Sequence, residues 1–252
     1  MNPGELKMGN VDTKAEYLGR DLEAMSFAKN YHKWIIEEFK PYFGKNVAEV
    51  GAGSGNFSEL LLKHVNNLIA FEPSKNMHSL LEKRFAKNPN IKIINSMFGT
   101  NCHKFEGCLD SVIYVNVLEH IKNDENELFQ VYKSLIGGGH ALIFVPALPF
   151  LYSDFDKNIG HFRRYLKNDF VKLAKKIGLS IKKAKYFDLA GIIPWYIFFV
   201  LFKKQLTRDR VLLYDKFAVP VMQKIEKLII PPIGKNILLV MQKPNKITKN
   251  IS

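Results

Sequence analysis

Val47-Ala48-Glu49-Val50-Gly51-Ala52-Gly53-Ser54-Gly55-Asn56-Phe57-Ser58 reads as a buried strand running into a glycine turn and then a helix. Three alternate glycines let the backbone take positive φ and let a ligand approach where a Cβ would clash. The helix from about Phe57 adds unpaired N–H groups, so the turn is a nucleotide-sized site. A dinucleotide fingerprint, Gly-x-Gly-x-x-Gly, would need a glycine at position 56, which is Asn56. The chain instead carries Gly-x-Gly-x-Gly with an acid, Glu49, two residues before the first glycine.

The segment Glu49 to Gly55 resembles the first motif of the class I S-adenosylmethionine-dependent methyltransferases, Glu-x-Gly-x-Gly-x-Gly. That cofactor is a sulfonium carrying an amino acid, which calls for carboxylates and close backbone contacts rather than a phosphate cradle. The resemblance assigns Glu49, Gly51, Gly53 and Gly55 to the methionine end of S-adenosylmethionine.

Outward from this turn, the next strand is expected over Asn67 to Phe71 and ends at Glu72, 21 positions after Gly51. An acid at that strand tip can accept both ribose hydroxyls of an adenosine group. A third strand, Ile91 to Ile94, leads into Asn95-Ser96-Met97-Phe98. The resembled family often presents an Asp to adenine there; here Asn95 or Ser96 would accept the bond and Met97 or Phe98 would wall the ring. A fourth strand over Cys108 to Val117 brings Asn116, Glu119 and His120 to the same crevice, because parallel strands put their ligand sites on one edge. The resemblance places Asn116 near the methionine part. His120 is either a base or acceptor contact, or a residue that caps and packs a helix start. A helix over Glu125 to Leu135, stopped by Gly137-Gly138-Gly139, precedes a fifth strand, His140 to Val145.

The segment after that strand is the most substrate-suggestive. It runs Pro146-Ala147-Leu148-Pro149-Phe150-Leu151-Tyr152-Ser153-Asp154-Phe155-Asp156, then Gly160-His161-Phe162-Arg163-Arg164-Tyr165, and resembles a Gly-His-x-Arg-Arg-Tyr element of a bacterial branch of the family. Short acids, a histidine, paired arginines and aromatics suit binding an anion and removing a proton from its oxygen. His161 with Asp154 or Asp156 is the expected proton acceptor. Arg163, Arg164 and Tyr165, with His120 and Tyr31, are expected to hold the acceptor. The competing reading is a lid held by its own Asp–Arg pairs. No metal site is apparent.

Residues 12 to 40 carry Leu22, Met25, Ala28, Tyr31, Ile35 and Phe39 at helical spacing, stopped by Pro41 and Gly44. The resemblance makes this helix a cofactor cover, with Tyr17, Asn30 and Tyr31 as contacts. Asp169 to Ile177 is an amphipathic helix, Ser180 to Tyr186 a sixth strand and Asn236 to Met241 the last. Between them, Leu189 to Phe202 is an uncharged run of 14 residues containing Pro194. It is shorter than the roughly 20 residues that span a bilayer. Either it pairs with a helix over Tyr214 to Ile230 as a hydrophobic substrate cover, or Trp195, Tyr196 and Phe198 enter a membrane interface with Lys203, Lys204, Arg208 and Arg210 on headgroups.

Charge bears on that choice. The 252-residue chain has a net charge of +13, yet residues from 151 onward hold 21 Lys+Arg and 7 Asp+Glu, leaving 16 and 17 for the first 150. A neutral cofactor half and a basic back half call for an anionic partner: a membrane surface, an anionic substrate or nucleic acid. The competing reading is a lysine-rich solvated surface. Nucleic acid ranks second as acceptor, because no Asn-Pro-Pro-Tyr-type base-flipping motif or appended RNA-binding domain is present. A cofactor-binding scaffold without catalysis is a further alternative. Met1 to Lys14 is polar and mixed in charge rather than a secretory leader, and Cys102 and Cys108 read as reduced thiols, so a cytoplasmic protein is expected, peripheral at the inner membrane face if the interface reading holds. Nothing in the pattern fixes an oligomeric state.

The fold class is α/β: by the resemblance, a Rossmann-like, seven-stranded, mostly parallel sheet with helices on both faces and an antiparallel last strand. One methyltransferase domain over 1–252 is expected, divided as a helical cover over 12–43, a cofactor-binding core over 44–187, a helical insertion over 188–235 and the last strand over 236–242. The implied activity is in-line methyl transfer from S-adenosylmethionine to a small or lipid- or glycan-linked, anionic acceptor.

Overall fold

The glycine turn sits at the centre of a seven-stranded sheet. In the computed structural model, residues 28–204 and 207–245 are described. The strands are β1 (Asn46–Val50), β2 (Asn67–Phe71), β3 (Ile91–Ile94), β4 (Leu109–Val115), β5 (Leu135–Pro146), β6 (Ser180–Phe187) and β7 (Asn236–Gln242). Their order is β3-β2-β1-β4-β5-β7-β6. β7 runs antiparallel to both β5 and β6, and the other pairs are parallel. The strand order reverses between β1 and β4, which opens a crevice at their carboxyl ends.

The helices are α1 (Lys29–Phe39), α2 (Asn56–Leu61), α3 (Lys75–Phe85), α4 (Phe98–Asn101), α5 (Asp124–Ser134), α6 (Asp154–Asn158) and α7 (Lys167–Ile177). In the insertion, α8 (Ile192–Trp195) widens into a π turn over Tyr196–Leu201. α9 (Arg208–Leu213) passes through another, Tyr214–Ala218, into α10 (Val219–Leu228). One face of the sheet is covered by Leu128 and Val131 of α5 and Phe170 and Ala174 of α7. The other is covered by Tyr31, Trp34, Ile35 and Phe39 of α1, Phe57 and Leu61 of α2, and Val211, Val219 and Met222 of the insertion. Alternating strands and helices of this length must bury both sheet faces, which makes three layers.

The strands expected at Asn67 to Phe71 and Ile91 to Ile94 form at those bounds. The glycine run behaves differently from expectation. α5 ends at Ser134, and Gly137, Gly138 and Gly139 lie inside β5. A Cβ on Gly139 would come within 3.0–3.1 Å of the carbonyls of Asp110, Ile136 and Leu109, so a close strand approach demands glycine there, rather than a helix stop. Of the long helix expected from residue 12, Leu22, Met25 and Tyr17 lie outside the described residues, as does the tail from 246. Both cysteines are free thiols, Cys102 buried and Cys108 exposed.

Two long-range features position the site. Ala28 offers α1 no side-chain cap; instead Asp215, in the insertion, accepts from the N–H groups of Asn30 (3.0 Å) and Tyr31 (2.8 Å). Among described residues, Asn116, Leu148 and Asp188 take φ of 53°, 62° and 62°. They fall just past the carboxyl ends of β4, β5 and β6, the rim where a ligand crevice forms, and such backbone costs about 1–3 kcal/mol each.

Candidate active site

The crevice holds a cavity of about 440 Å³ that runs from the glycine turn to the start of β7. At its cofactor end, Gly51 and Gly53 take φ of +71° and +55°. A Cβ at Gly51 would sit 2.6 Å from Val117 Cγ2. Glu49 is buried and accepts from Ser58 Oγ at 2.6 Å. Burial pushes its carboxyl up to about 8, with Ser58 opposing and the charge of Glu72 adding to the rise. Glu72 accepts from the N–H of Gly53 and of Ser74, each at 2.8 Å. One main-chain donor on each oxygen fixes the carboxylate and leaves each a second lone pair for a diol.

Of the residues singled out in the sequence, Glu49, Gly51, Gly53, Glu72, Ser96, Met97 and Asn116 line the cavity, and so do Tyr31, His120, His161 and Arg164. Several expected residues do other work. Gly55 (φ +84°) is outside the lining; its missing Cβ makes room for Phe85 and Leu81 of α3, so it joins turn to helix rather than touching a ligand. Asn95 donates to the carbonyls of Glu72 and Pro73 and braces β2 instead of reaching adenine. Asp154 is exposed and paired with Lys203 at 2.9 Å, away from the cavity, so of the two acids it is Asp156 that stands beside His161. Arg163 and Tyr165, expected to hold the acceptor, lie outside the cavity lining: both bind Asp124 Oδ2, at 2.8 and 2.9 Å, and thereby tie the segment to the start of α5.

Asp156 is buried and accepts from Ser153, Arg164 and His161. Burial works to raise its carboxyl, but the His161 hydrogen bond and the Arg164 guanidinium outweigh it, so the net shift is downward. It serves as the post that orients His161 and Arg164, which reach the cavity. Arg164 also lies 4.6 Å over the ring of Trp195.

Next to His161 stands Glu119, fully buried, with no hydrogen-bond partner on either carboxylate oxygen. Burial pushes its carboxyl up to about 7, against the charge of His161. His120, its ring edge-on to His161 at 4.6 Å, is driven down to about 4, chiefly by burial.

The far end of the cavity escaped sequence reasoning. Lys235 and Asn236 line it, beside Trp195, Phe155 and Tyr31. The Tyr31 hydroxyl sits between Asp188 Oδ2 and Asn236 Oδ1 at 3.1 and 3.0 Å, and burial drives its phenol far upward. Lys235 pairs with Asp188 at 3.0 Å and lies over the rings of Tyr31, Trp195 and Tyr214. One signal pointed there: an antiparallel last strand places its amino end, Lys235-Asn236, on the same edge as the carboxyl ends of its neighbours, and Asn236 pairs with Pro146.

A seven-stranded sheet of this kind, with an acid-flanked glycine turn and a second acid at the next strand tip, is the arrangement that a methyltransferase fold places around its cofactor crevice. The model of the methyltransferase-domain family matches residues 16–188, and the chain belongs to that family. An uncharacterized methyltransferase of Bacillus mycoides is 21% identical over 142 residues, which are 56% of this chain and 65% of that relative. The match therefore spans a little under two thirds of the relative's length. Among solved structures, an S-adenosylmethionine-dependent methyltransferase from Archaeoglobus fulgidus superimposes with a TM-score of 0.61 at 15% identity, covering 88% of this chain and 99% of that one. Phosphoethanolamine N-methyltransferase 2 of Haemonchus contortus, in complex with phosphomonomethylethanolamine and S-adenosylhomocysteine, gives 0.59 at 14%, covering 90% and 59%.

The lining fits the cofactor by its own chemistry: two carboxylates at one end for a cation and a diol, and a turn whose glycines leave room for close backbone contact. Glu49 and the turn would hold the methionine part, Glu72 the ribose, and Ser96 and Met97 the adenine side.

Proposed function

We propose that this enzyme transfers the sulfonium methyl to a small or lipid- or glycan-linked anionic acceptor seated between His161, Arg164, Trp195 and Lys235. The observation that carries this reading is the placement of Arg164 and Lys235, ion-paired with Asp156 and Asp188, on the acceptor half of the same cavity that Glu49 and Glu72 line. An anionic acceptor has precedent on this fold, since the Haemonchus structure holds phosphomonomethylethanolamine. Displacement at a sulfonium has a good leaving group, so alignment and exclusion of water supply most of the rate. Where the nucleophile must shed a proton, His161 is the group to take it, its Nδ1 held by Asp156 and its Nε2 turned the other way.

The insertion supports action at an anionic membrane surface. Among described residues, Phe202, Leu213, Phe217, Leu228 and Ile230 are each at least 60% exposed, interleaved with Lys203, Lys204, Lys216 and Lys227. Apolar side chains at that exposure with lysines between them are the composition of an interfacial helix. No helix of the described residues is long and apolar enough to cross a membrane.

Labelled methyl supplied as S-adenosylmethionine to a cell extract, followed by separation into lipid, glycan, nucleic-acid, protein and small-molecule fractions, tests the reading. Label in an anionic lipid, glycan or small molecule supports it. Label in nucleic acid replaces it with the nucleic-acid alternative, and cofactor binding with no label in any fraction favours the silent scaffold.

A further inference from the structure

Glu119 and His120, past β4, meet His161, past β5, with one ligand atom from each within 4.8 Å of the others. We propose that these three residues bind a divalent transition-metal cation, of the Zn²⁺ or Mn²⁺ type, in the acceptor half of the cavity.

The buried, partnerless carboxylate of Glu119 is the first observation. A carboxylate shut away from water with no donor is expensive, and proteins offset that cost with a proton, a counter-charge or a metal. The nearest ring nitrogen is His161 Nε2, 3.7 Å from Oε1. That is too long for a hydrogen bond, yet it is a span that two ligands at about 2.1 Å from one ion can take.

The second observation is how the histidines are held. Nδ1 of His161 is bound to Asp156 at 2.9 Å. With its proton there, Nε2 presents a lone pair towards Glu119, the carboxylate–imidazole relay that orients metal-binding histidines. The ring of His120 stands edge-on to that of His161, with centroids 4.6 Å apart. Arg164, the nearest alternative counter-charge, is committed to Asp156 and the Ala147 carbonyl. Two imidazoles and one carboxylate leave coordination positions open on the cavity side, where His120 and His161 are both exposed to it.

The use of the ion rests on the methyl-transfer reading; its binding does not. An acceptor hydroxyl held on such an ion is more acidic. It releases its proton to solvent, its oxygen bonds to the methyl carbon, and the carbon–sulfur bond breaks with its electron pair going to sulfur. The metal keeps its oxidation state throughout, and His161 then acts as a ligand rather than a proton acceptor.

The test is calorimetric titration of chelator-treated full-length protein with Zn²⁺ and, separately, Mn²⁺. One ion per chain is expected for at least one metal. Affinity should fall about 100-fold or more in Glu119→Gln and His120→Ala, and about 10–100-fold in Asp156→Asn. Glu119→Gln keeps the side-chain volume, and its S-adenosylmethionine affinity should match the unaltered protein, which reads the cofactor end independently. A melting temperature raised by the metal in the unaltered protein and not in His161→Ala is the second readout. Less than one ion per chain, or equal binding in protein and variants, overturns the proposal and leaves Glu119 as a protonated acid. Loss of cofactor binding with metal binding intact would count against the methyl-transfer reading alone.

Discussion

Nδ1 of His161 lies 2.9 Å from Oδ1 of Asp156, the same oxygen that takes Nη2 of Arg164 at 2.8 Å. One carboxylate oxygen therefore sets both the imidazole and the guanidinium that face the acceptor, and the two cannot be repositioned separately. Asp156→Asn leaves Arg164 buried without its counter-charge. Stability should fall by about 3–5 kcal/mol in denaturant unfolding, while S-adenosylmethionine affinity of the folded fraction stays within about twofold. A cofactor affinity that dropped with stability would mean that the two ends of the cavity are not independent.

Glu72→Ala removes the ribose acceptor and the anchor of the Gly53 and Ser74 amides. Two hydrogen bonds to a charged acceptor are lost, each worth about 1.5–3 kcal/mol, so cofactor affinity should fall at least about 100-fold. Circular dichroism should show the sheet intact. Unchanged calorimetric affinity would remove the ribose assignment.

Glu49 makes cofactor binding a proton-release event. Its folded pKa of about 8 exceeds the ordinary value of 4.5, so at pH 7 the folded protein holds a proton that the unfolded chain has released. Its contribution to stability is full below pH 4.5 and is lost as pH rises through 8. A sulfonium amino acid placed beside it favours the ionised form. Calorimetry at pH 7 in buffers of different ionisation enthalpy should register proton release on binding S-adenosylmethionine, absent in Glu49→Gln. Equal apparent enthalpies in all buffers would contradict it.

On the membrane side, Leu213 and Phe217 are 63% and 60% exposed, so replacing both with Glu should leave the melting temperature within a few degrees. Co-sedimentation with vesicles rich in anionic lipid, seen for the unaltered protein at low salt, should drop about tenfold. Absence of vesicle binding by the unaltered protein would leave the insertion as a substrate cover.

What local pattern encodes was legible beforehand. The strand tips and turns that carry the glycine turn, Glu72 and Asn116 follow from periodicity and punctuation along short stretches, while the resemblance marked the methionine-end role of the turn and Asn116 and the element that holds His161. Side-chain partnerships across the chain carry no such mark. Asp154 and Asp156 look alike in sequence, but the α6 helix start turns Asp156 inward as the capping partner of Ser153 and leaves Asp154 in solvent. Arg163 and Arg164 are neighbours in sequence, yet one pairs with Asp124 and the other with Asp156. The Lys235 cage draws on residues 31, 188, 195 and 214, a set that only the closed sheet assembles.

The insertion of β7 between β5 and β6 has a consequence for synthesis on the ribosome. β6 has β7 as its sheet neighbour, so residues 180–187 have no strand to pair with until residues 236–242 have emerged. At about 5–20 residues per second, the stretch from 188 to 242 leaves β6 and the apolar insertion waiting for several seconds. The nascent chain can form the glycine turn long before it owns Lys235 and Asn236, so a newborn molecule gains its cofactor half first and its acceptor half last.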